Sequence, residues 1–204
     1  MRITCDRPLL INILSTIFLL INSIYDYIVN SGINLFRIGL MAITLWGVYF
    51  IYNKTFLSKS KISFYLIYGF IVMAMYGGSV LGFYTIIPMY DKILHLASGV
   101  IIAIIGYILF LYLNRGDKKE VINPYMGIVF SILVSISAAA VWEIWEFSTD
   151  QLFGFMSQNN SLVDTMMDII CGTIMGIIAN IPIYLNIKGK KIKFIQKIVD
   201  EMKC

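Results

Sequence analysis

The residues with the most distinctive chemistry are acidic side chains and one histidine within otherwise apolar stretches. Asp91 and His95, the chain's only histidine, are four residues apart and so share one face of a helix. Asp164 and Asp168 have the same spacing. Carboxylates and an imidazole are suitable ligands for Mg²⁺, Mn²⁺, Ca²⁺ or Zn²⁺. The pattern therefore indicates a divalent metal site and leaves the identity of the metal open.

A third group of acidic residues also has the spacing of one helix face. Glu143, Glu146 and Asp150 lie at positions i, i+3 and i+7, which puts them on one helix face. Buried carboxyl groups beside an imidazole can also transfer protons, so the candidate catalytic residues are His95, Glu143 and Glu146. The candidate metal ligands are Asp91, His95, Glu143, Glu146, Asp164 and Asp168.

Composition determines what kind of chain must position these residues. Of the 204 residues, 59% are hydrophobic and only 14% are charged. Too little charge is present for a disordered chain, a coiled coil or a nucleic-acid-binding module. A soluble domain of this size could not bury so much apolar surface. The sequence therefore predicts an all-α, polytopic membrane protein.

The hydrophobic runs predict six transmembrane helices, because a bilayer core is crossed by about 20 apolar helical residues. The predicted spans are about 8–29, 33–52, 62–84, 91–113, 125–147 and 162–186. They form one transmembrane domain over residues 1–186, and residues 187–204 form a basic cytoplasmic tail. The first run is too long for the apolar core of a removable signal peptide, so we expect it to stay as an anchor.

The basic residues predict the orientation of these spans. Fourteen of the 16 Lys and Arg residues lie in the N-terminal segment, in two alternate loops and in the tail, all on one side of a six-span topology. Because cytoplasmic loops are enriched in Lys and Arg, both termini are predicted to be cytoplasmic. A bacterial cytoplasmic (inner) membrane is the expected location, with membrane lipid as a partner and no nucleic acid. Protein partners and oligomeric state are not predicted.

With this topology, seven of the 12 acidic residues fall at the extracytoplasmic ends of the spans. Only Arg37 and Lys92 could balance them there, and neither is an evident partner of Glu143 or Asp168. Like charges crowded away from water cannot all stay ionised. We therefore expect either a bound cation or protonated carboxyl groups. An alternative for Asp91 is that it caps its helix while Lys92 extends toward the membrane surface.

Three segments resemble the motifs of a known family. Residues 90–95, Tyr-Asp-Lys-Ile-Leu-His, followed by Gly99, resemble the D-R/K-x-x-H-F-x-x-G motif of the YjdF-like bacterial inner-membrane proteins. Glu143 and Glu146 match its E-x-x-E/W segment, and residues 164–168 resemble its D-T-x-x-D motif. The resemblance covers roughly residues 88–180, and a weaker one points to VanZ-like membrane proteins. The Gln-Gly-Asp tripeptide of many members is replaced here by residues 158–160, Gln-Asn-Asn. The resemblance implies a shared site and no particular reaction.

Two functions fit this pattern, and a non-catalytic membrane protein is a third. In the first, a divalent metal ion activates water or polarises a phosphoryl or ester group of a lipid or envelope precursor, with Glu143 or Glu146 as general base. In the second, the carboxyl groups carry protons or cations in a coupled transporter or binding protein. The acids favour the first, because they cluster at one end of the spans and do not continue toward the cytoplasm.

Overall fold

The computed structural model describes residues 6–115, 123–154 and 156–203. Within these residues the regular structure is all helical, without strands, and six helical segments are long and apolar enough to cross a membrane. They span residues 7–29, 35–54, 61–80, 90–113, 125–153 and 162–187. The predicted fold class and number of spans are confirmed. The chain divides into a first compact unit, up to Tyr90, and a second that begins at Asp91.

The described residues of the first unit form four α-helices. Helix α1 (Arg7–Val29) and helix α2 (Leu35–Lys54) are followed by a short 3-10 turn (Phe56–Lys59), by α3 (Lys61–Ile71) and by α4 (Phe83–Ile86). Asp6 caps α1 by accepting a hydrogen bond from the backbone N–H of Leu9. Polar pairs join these helices: the Tyr68 hydroxyl donates to Asn12 at 3.2 Å. Such side-chain hydrogen bonds link helices that have no hydrophobic drive to associate within lipid.

The third span departs from the predicted uninterrupted helix over residues 62–84. After α3 the chain continues as a π-helix, Val72–Val80, and then turns at Gly82, which has φ of +76°. The wider π turn leaves the carbonyl of Met73 available, and the Tyr90 hydroxyl donates to it at 2.8 Å. Turns of π-helix are rare, and hydrophobic periodicity does not reveal them. The sequence therefore does not predict this one.

The part of the second unit that the structure describes forms five α-helices. They are α5 (Tyr90–Leu113), α6 (Tyr125–Phe153), α7 (Leu162–Ile178), α8 (Asn180–Ile187) and α9 (Lys193–Lys203). Helix α6 extends six residues past the predicted end at 147, up to the left-handed Gly154. The sixth span is divided into α7 and α8 at Ala179. Helix α9 is amphipathic and buries Ile195, Ile198 and Met202.

Candidate metal site

Close packing of three helices in the second unit positions the candidate site. A Cβ atom added to Gly99 of α5 would collide with the carbonyl oxygen of Gly172 of α7, so the two backbones are in direct contact there. The Ser135 hydroxyl of α6 donates to the Gly99 carbonyl at 3.1 Å. Small residues and serine hydroxyls allow this kind of approach between membrane helices. His95 and Asp168 each lie one turn from this contact, at i−4 from its two glycines.

The imidazole of His95 is at the centre of the site. Its Nε2 atom lies 3.6 Å from Asp168 Oδ1, 3.8 Å from Asp91 Oδ1 and 3.9 Å from Glu143 Oε1. These separations are too long for hydrogen bonds. His95, Glu143 and Asp168 are buried, and Asp91 is partly exposed. Four potential ligand atoms from three helices therefore surround one small space without bonding to each other.

Two of these oxygen atoms have no hydrogen-bond partner within the described part of the chain. They are Glu143 Oε1 and Asp168 Oδ1, on side chains with relative exposures of only 4% and 2%. An unpaired buried polar atom costs about 1–3 kcal/mol, and more if it is charged. A cation between them would satisfy both. Ligand atoms of Asp91, His95 and Asp168 all lie within 4.8 Å of one another, so this triad fits a metal ion.

Lys92 is turned into the site, which contradicts the alternative in which it extends toward the membrane surface. Its Nζ atom lies 2.5 Å from Asp164 Oδ1, 2.7 Å from Asp168 Oδ2 and 3.6 Å from Asp91 Oδ2. The Lys92 side chain is only 13% exposed. The expectation that Asp168 lacks a cationic partner was therefore wrong. The attraction of two carboxylates outweighs the tendency of a lysine at a helix end to extend toward water.

Glu143 is tied to the loop that follows α6. The side-chain amide of Gln158 donates to Glu143 Oε2 at 3.2 Å and to the Glu143 carbonyl at 3.1 Å. Asp150 holds this loop by accepting hydrogen bonds from the backbone N–H groups of Ser157 and Gln158, each at 3.0 Å. Asp150 is thus a loop anchor, and Gln158 covers one oxygen of Glu143 while the other stays unpaired.

Asp164 and Glu146 have different surroundings from the triad. Asp164 pairs with Lys92 and accepts a hydrogen bond from Asn159 at 2.9 Å. Glu146 is half-buried and accepts a hydrogen bond from the Trp142 indole at 2.8 Å. Within the described residues, Glu146 forms no ion pair with Lys92 or His95. Ligation of a metal by Asp164 or Glu146 stays a prediction.

A known family of membrane proteins matches most of this chain. The family model of predicted membrane proteins DUF2238 matches residues 8–189, which include every candidate site residue and all six spans except for Arg7. The chain belongs to this family. The match supports membership of that family and does not extend to the narrower YjdF-like name.

A relative is known in Thermotoga maritima (strain ATCC 43589 / DSM 3109 / JCM 10099 / NBRC 100826 / MSB8), where it is described as an uncharacterized protein. It is 31% identical over 94 residues. The alignment covers 46% of this chain and 46% of the relative, so the chain spans about half the length of the curated relative that it matches. No solved structure gives a significant match.

Two residues that contact this site, Lys92 and Gln158, are not among the candidate site residues predicted from the sequence of this DUF2238 protein. Lys92 lies three residues before His95, so helical spacing alone puts both on the same side of α5. That spacing was the available signal. Gln158 comes from a loop, and no periodicity relates a loop residue to Glu143. Its contribution depends on tertiary folding, and the available signal was its place at the start of the segment that replaces the Gln-Gly-Asp tripeptide.

Proposed function

We propose that the chain is a membrane enzyme that uses a divalent metal ion held by Asp91, His95 and Asp168. The supporting observation is the arrangement around His95 Nε2, which has three carboxylate oxygens at 3.6–3.9 Å and no hydrogen bond to any of them. Three protein ligands with a remaining open position are typical of catalytic metal sites, whereas structural sites are closed.

The charge balance of the site also favours a cation. Four carboxylates, those of Asp91, Glu143, Asp164 and Asp168, lie within 4 Å of either Lys92 Nζ or His95 Nε2. Lys92 supplies one positive charge, and three negative charges remain if every carboxyl group is ionised and His95 is neutral. A divalent ion reduces this excess to a single charge. Uncompensated charges within a membrane protein are costly, so the balance supports a bound ion.

The residues around the triad have separable roles in this proposal. Lys92 bonds Asp168 through Oδ2, which leaves Oδ1 directed toward His95. It therefore orients Asp168, as groups hydrogen-bonded to a metal ligand do in metal sites. Glu143, with one unpaired oxygen, is the proposed general base, and Glu146 is a second candidate. The metal ion, when bound, would activate water or polarise a phosphoryl or ester group.

The proposed substrate is a lipid or envelope precursor in a bacterial cytoplasmic membrane, reached from the extracytoplasmic side. The support is the excess of Lys and Arg at the termini and alternate loops, which favours cytoplasmic termini. Cysteines at Met156 and Lys190, in a chain whose three native cysteines are serine, test this orientation. An impermeant thiol reagent should label position 156 and not position 190 in intact cells. Labelling of 190 alone would contradict it.

Metal analysis tests the function directly. Full-length protein in detergent, after dialysis against buffer with Zn²⁺ or Mn²⁺ and then against buffer alone, should retain about one ion per chain. His95→Ala should lose it. Asp150→Asn is the matched control, because Asp150 anchors the neighbouring loop and is not a member of the triad. Retention by His95→Ala would contradict the proposed site.

The alternative is a proton- or cation-coupled transporter or binding protein. The observation in its favour is the same pair of unpaired oxygens, on Glu143 and Asp168, since a buried carboxyl group can hold a proton as well as a metal ion. Protein without a divalent metal, unaffected by a chelator and not destabilised by Glu143→Gln, would favour this alternative. The amide has nearly the shape of a protonated carboxyl group and would replace it without loss.

A further inference from the structure

A groove of about 510 Å³ opens beside Glu143 in the second unit. It is lined by residues of α6, of α7 and of the loop between them. Small-molecule sites in proteins have volumes of about 300–1,000 Å³, so the groove is large enough for part of a lipid. It reaches the proposed general base without passing through the triad.

The lining of the groove combines apolar and polar side chains. Ala140 and Ile144 of α6 and Ile169 of α7 provide apolar side chains. Thr165 and the loop residues Gln158, Asn160 and Ser161 provide hydroxyl and amide groups. Further apolar side chains come from Phe147 and Leu162. A ligand with both an apolar and a polar part matches this lining. Membrane lipids have this character, and both helices are membrane-spanning segments.

The charges of the lining residues indicate which class of lipid the groove can bind. Glu143 and Asp150 line the groove, and none of the described residues that line it is basic. Lys92, the nearest identified cation of the site, is already bonded to Asp164 and Asp168. A headgroup with a fixed negative charge would meet two carboxylates here, whereas hydroxyl or ester oxygens could bond to Gln158 and Thr165. Charge complementarity therefore disfavours anionic phospholipids.

We propose that this groove binds the substrate, and that the substrate is an uncharged amphiphile with an acyl chain and a hydroxyl- or ester-bearing headgroup. The acyl chain of this substrate lies against Ala140, Ile144 and Ile169, and its headgroup reaches Glu143. The inference rests on the proposed function for the role of Glu143. The binding itself does not require a metal ion, because no member of the triad lines the groove.

Photolabelling tests the proposal. Full-length protein in phosphatidylcholine nanodiscs is exposed to a monoacylglycerol with a diazirine at the end of its chain, and labelled peptides are mapped by mass spectrometry. A lysophosphatidylglycerol with the same chain is the anionic comparison. The neutral probe should label residues 140–144 and 165–169 at least about fivefold more than the anionic probe. Equal labelling, or labelling spread over all lipid-facing helices, would overturn the proposal.

A variant that fills the groove supplies the second readout. Ala140→Phe should reduce labelling by the neutral probe by at least about fivefold, because the ring occupies the space of the acyl chain. Val141→Phe is the matched control on the same turn, since Val141 is 63% exposed and does not line the groove. Unchanged labelling in correctly folded Ala140→Phe would contradict the proposal. The comparison of the two probes uses the unmodified chain and is independent of the folding of any variant.

The same assay separates this proposal from the proposed function. Labelling is repeated with His95→Ala and with chelator-treated protein. Groove labelling should persist in both metal-free proteins, because no member of the triad lines the groove. Groove labelling by an unmodified chain that retains no metal after dialysis with Zn²⁺ or Mn²⁺ would support the groove and contradict the metal enzyme. Labelling that is spread over the helices while the metal is retained would contradict the groove alone.

Discussion

Two buried aspartates, one in each unit, have nearly the same exposure and opposite surroundings. Asp26 of α1 is 3% exposed and Asp168 of α7 is 2% exposed. Asp26 accepts hydrogen bonds on both oxygens: Oδ1 from the side chains of Asn30 and Asn34, and Oδ2 from the backbone N–H of Asn34 at 2.8 Å. Asp168 bonds Lys92 through Oδ2 and leaves Oδ1 unpaired.

The difference distinguishes a structural carboxylate from one that is available for chemistry. All the bonds of Asp26 come from the turn that joins α1 to α2, and they fix the path of that turn. Asp168 receives a cation on one oxygen from another helix and presents the other to His95. Burial alone would not separate these residues. The number of carboxylate oxygen atoms that have a hydrogen-bond partner distinguishes them, because proteins seldom leave a buried polar atom unpaired without a functional reason.

The largest expected effect on stability follows from removing the positive charge of Lys92 in the second unit. Lys92→Met leaves Asp164 and Asp168 without their shared partner, and we expect a loss of roughly 3–5 kcal/mol in the metal-free protein, as when a buried ion pair loses one member. Thermal unfolding in detergent with a chelator present measures this. Lys92→Arg, which keeps the charge, should lose much less. A Lys92→Met chain with unchanged stability would show that the pairs contribute nothing to folding.

The next effect concerns the metal ion. Asp168→Asn removes a charged ligand and should weaken Zn²⁺ or Mn²⁺ binding by at least about 100-fold, because loss of a group that only orients a ligand already weakens binding by about 10–100-fold. Asp26→Asn is the matched substitution in the first unit and should leave affinity unchanged. Competition titration with a chromogenic chelator measures both. Equal affinities for the two variants would remove the distinction drawn between these aspartates.

Substitution of Asp26 should lower the stability of the first unit, and added metal ion should not change this loss. Asp26→Ala leaves the backbone N–H of Asn34 without its acceptor, and we expect a loss of about 1–3 kcal/mol. The thermal midpoint should fall by the same amount with and without added Zn²⁺. A destabilisation that Zn²⁺ reverses would place Asp26 among the metal-linked residues and contradict its structural role.

The smallest effect is expected at the loop. Gln158→Ala removes the two hydrogen bonds to Glu143 and should destabilise the protein by about 1 kcal/mol, since water can replace the lost donor at the end of the helix. Metal content should be unchanged, because Gln158 contacts no member of the triad in the described structure. Loss of the ion in this variant, measured by elemental analysis, would indicate that Glu143 is a ligand.

The sequence predicts the six spans because hydropathy depends on local composition, and the bilayer imposes their length. It does not predict the π-helix at Val72–Val80, which depends on the Tyr90 hydroxyl reaching the Met73 carbonyl. Nor does it predict the break of the sixth span at Ala179. Both features come from contacts of the backbone that leave little trace in a hydrophobic pattern.

The site is predictable where helical spacing brings residues together and unpredictable where side-chain direction decides. The pairing of Asp91 with His95 follows from the i, i+4 rule. The sequence also suggests a pair of Asp26 and Arg37 across the first turn. In the structure Asp26 is instead satisfied by asparagines, and Arg37 donates to the Ser79 carbonyl at 3.0 Å. Whether a long basic side chain turns inward or outward depends on neighbouring helices, which a single sequence does not specify.

The backbone contact between Gly99 and Gly172 has a consequence for ion selectivity. No side chain lies between the two helices at that point, so no rotamer change can adjust their separation. The separation of the two helix backbones at His95 and Asp168, one turn away, is therefore set by the main chain, because close-packed interiors transmit strain and do not absorb it. We expect this fixed site to prefer Zn²⁺ over Ca²⁺, because it includes the imidazole of His95, whereas Ca²⁺ takes oxygen ligands at about 2.3–2.6 Å.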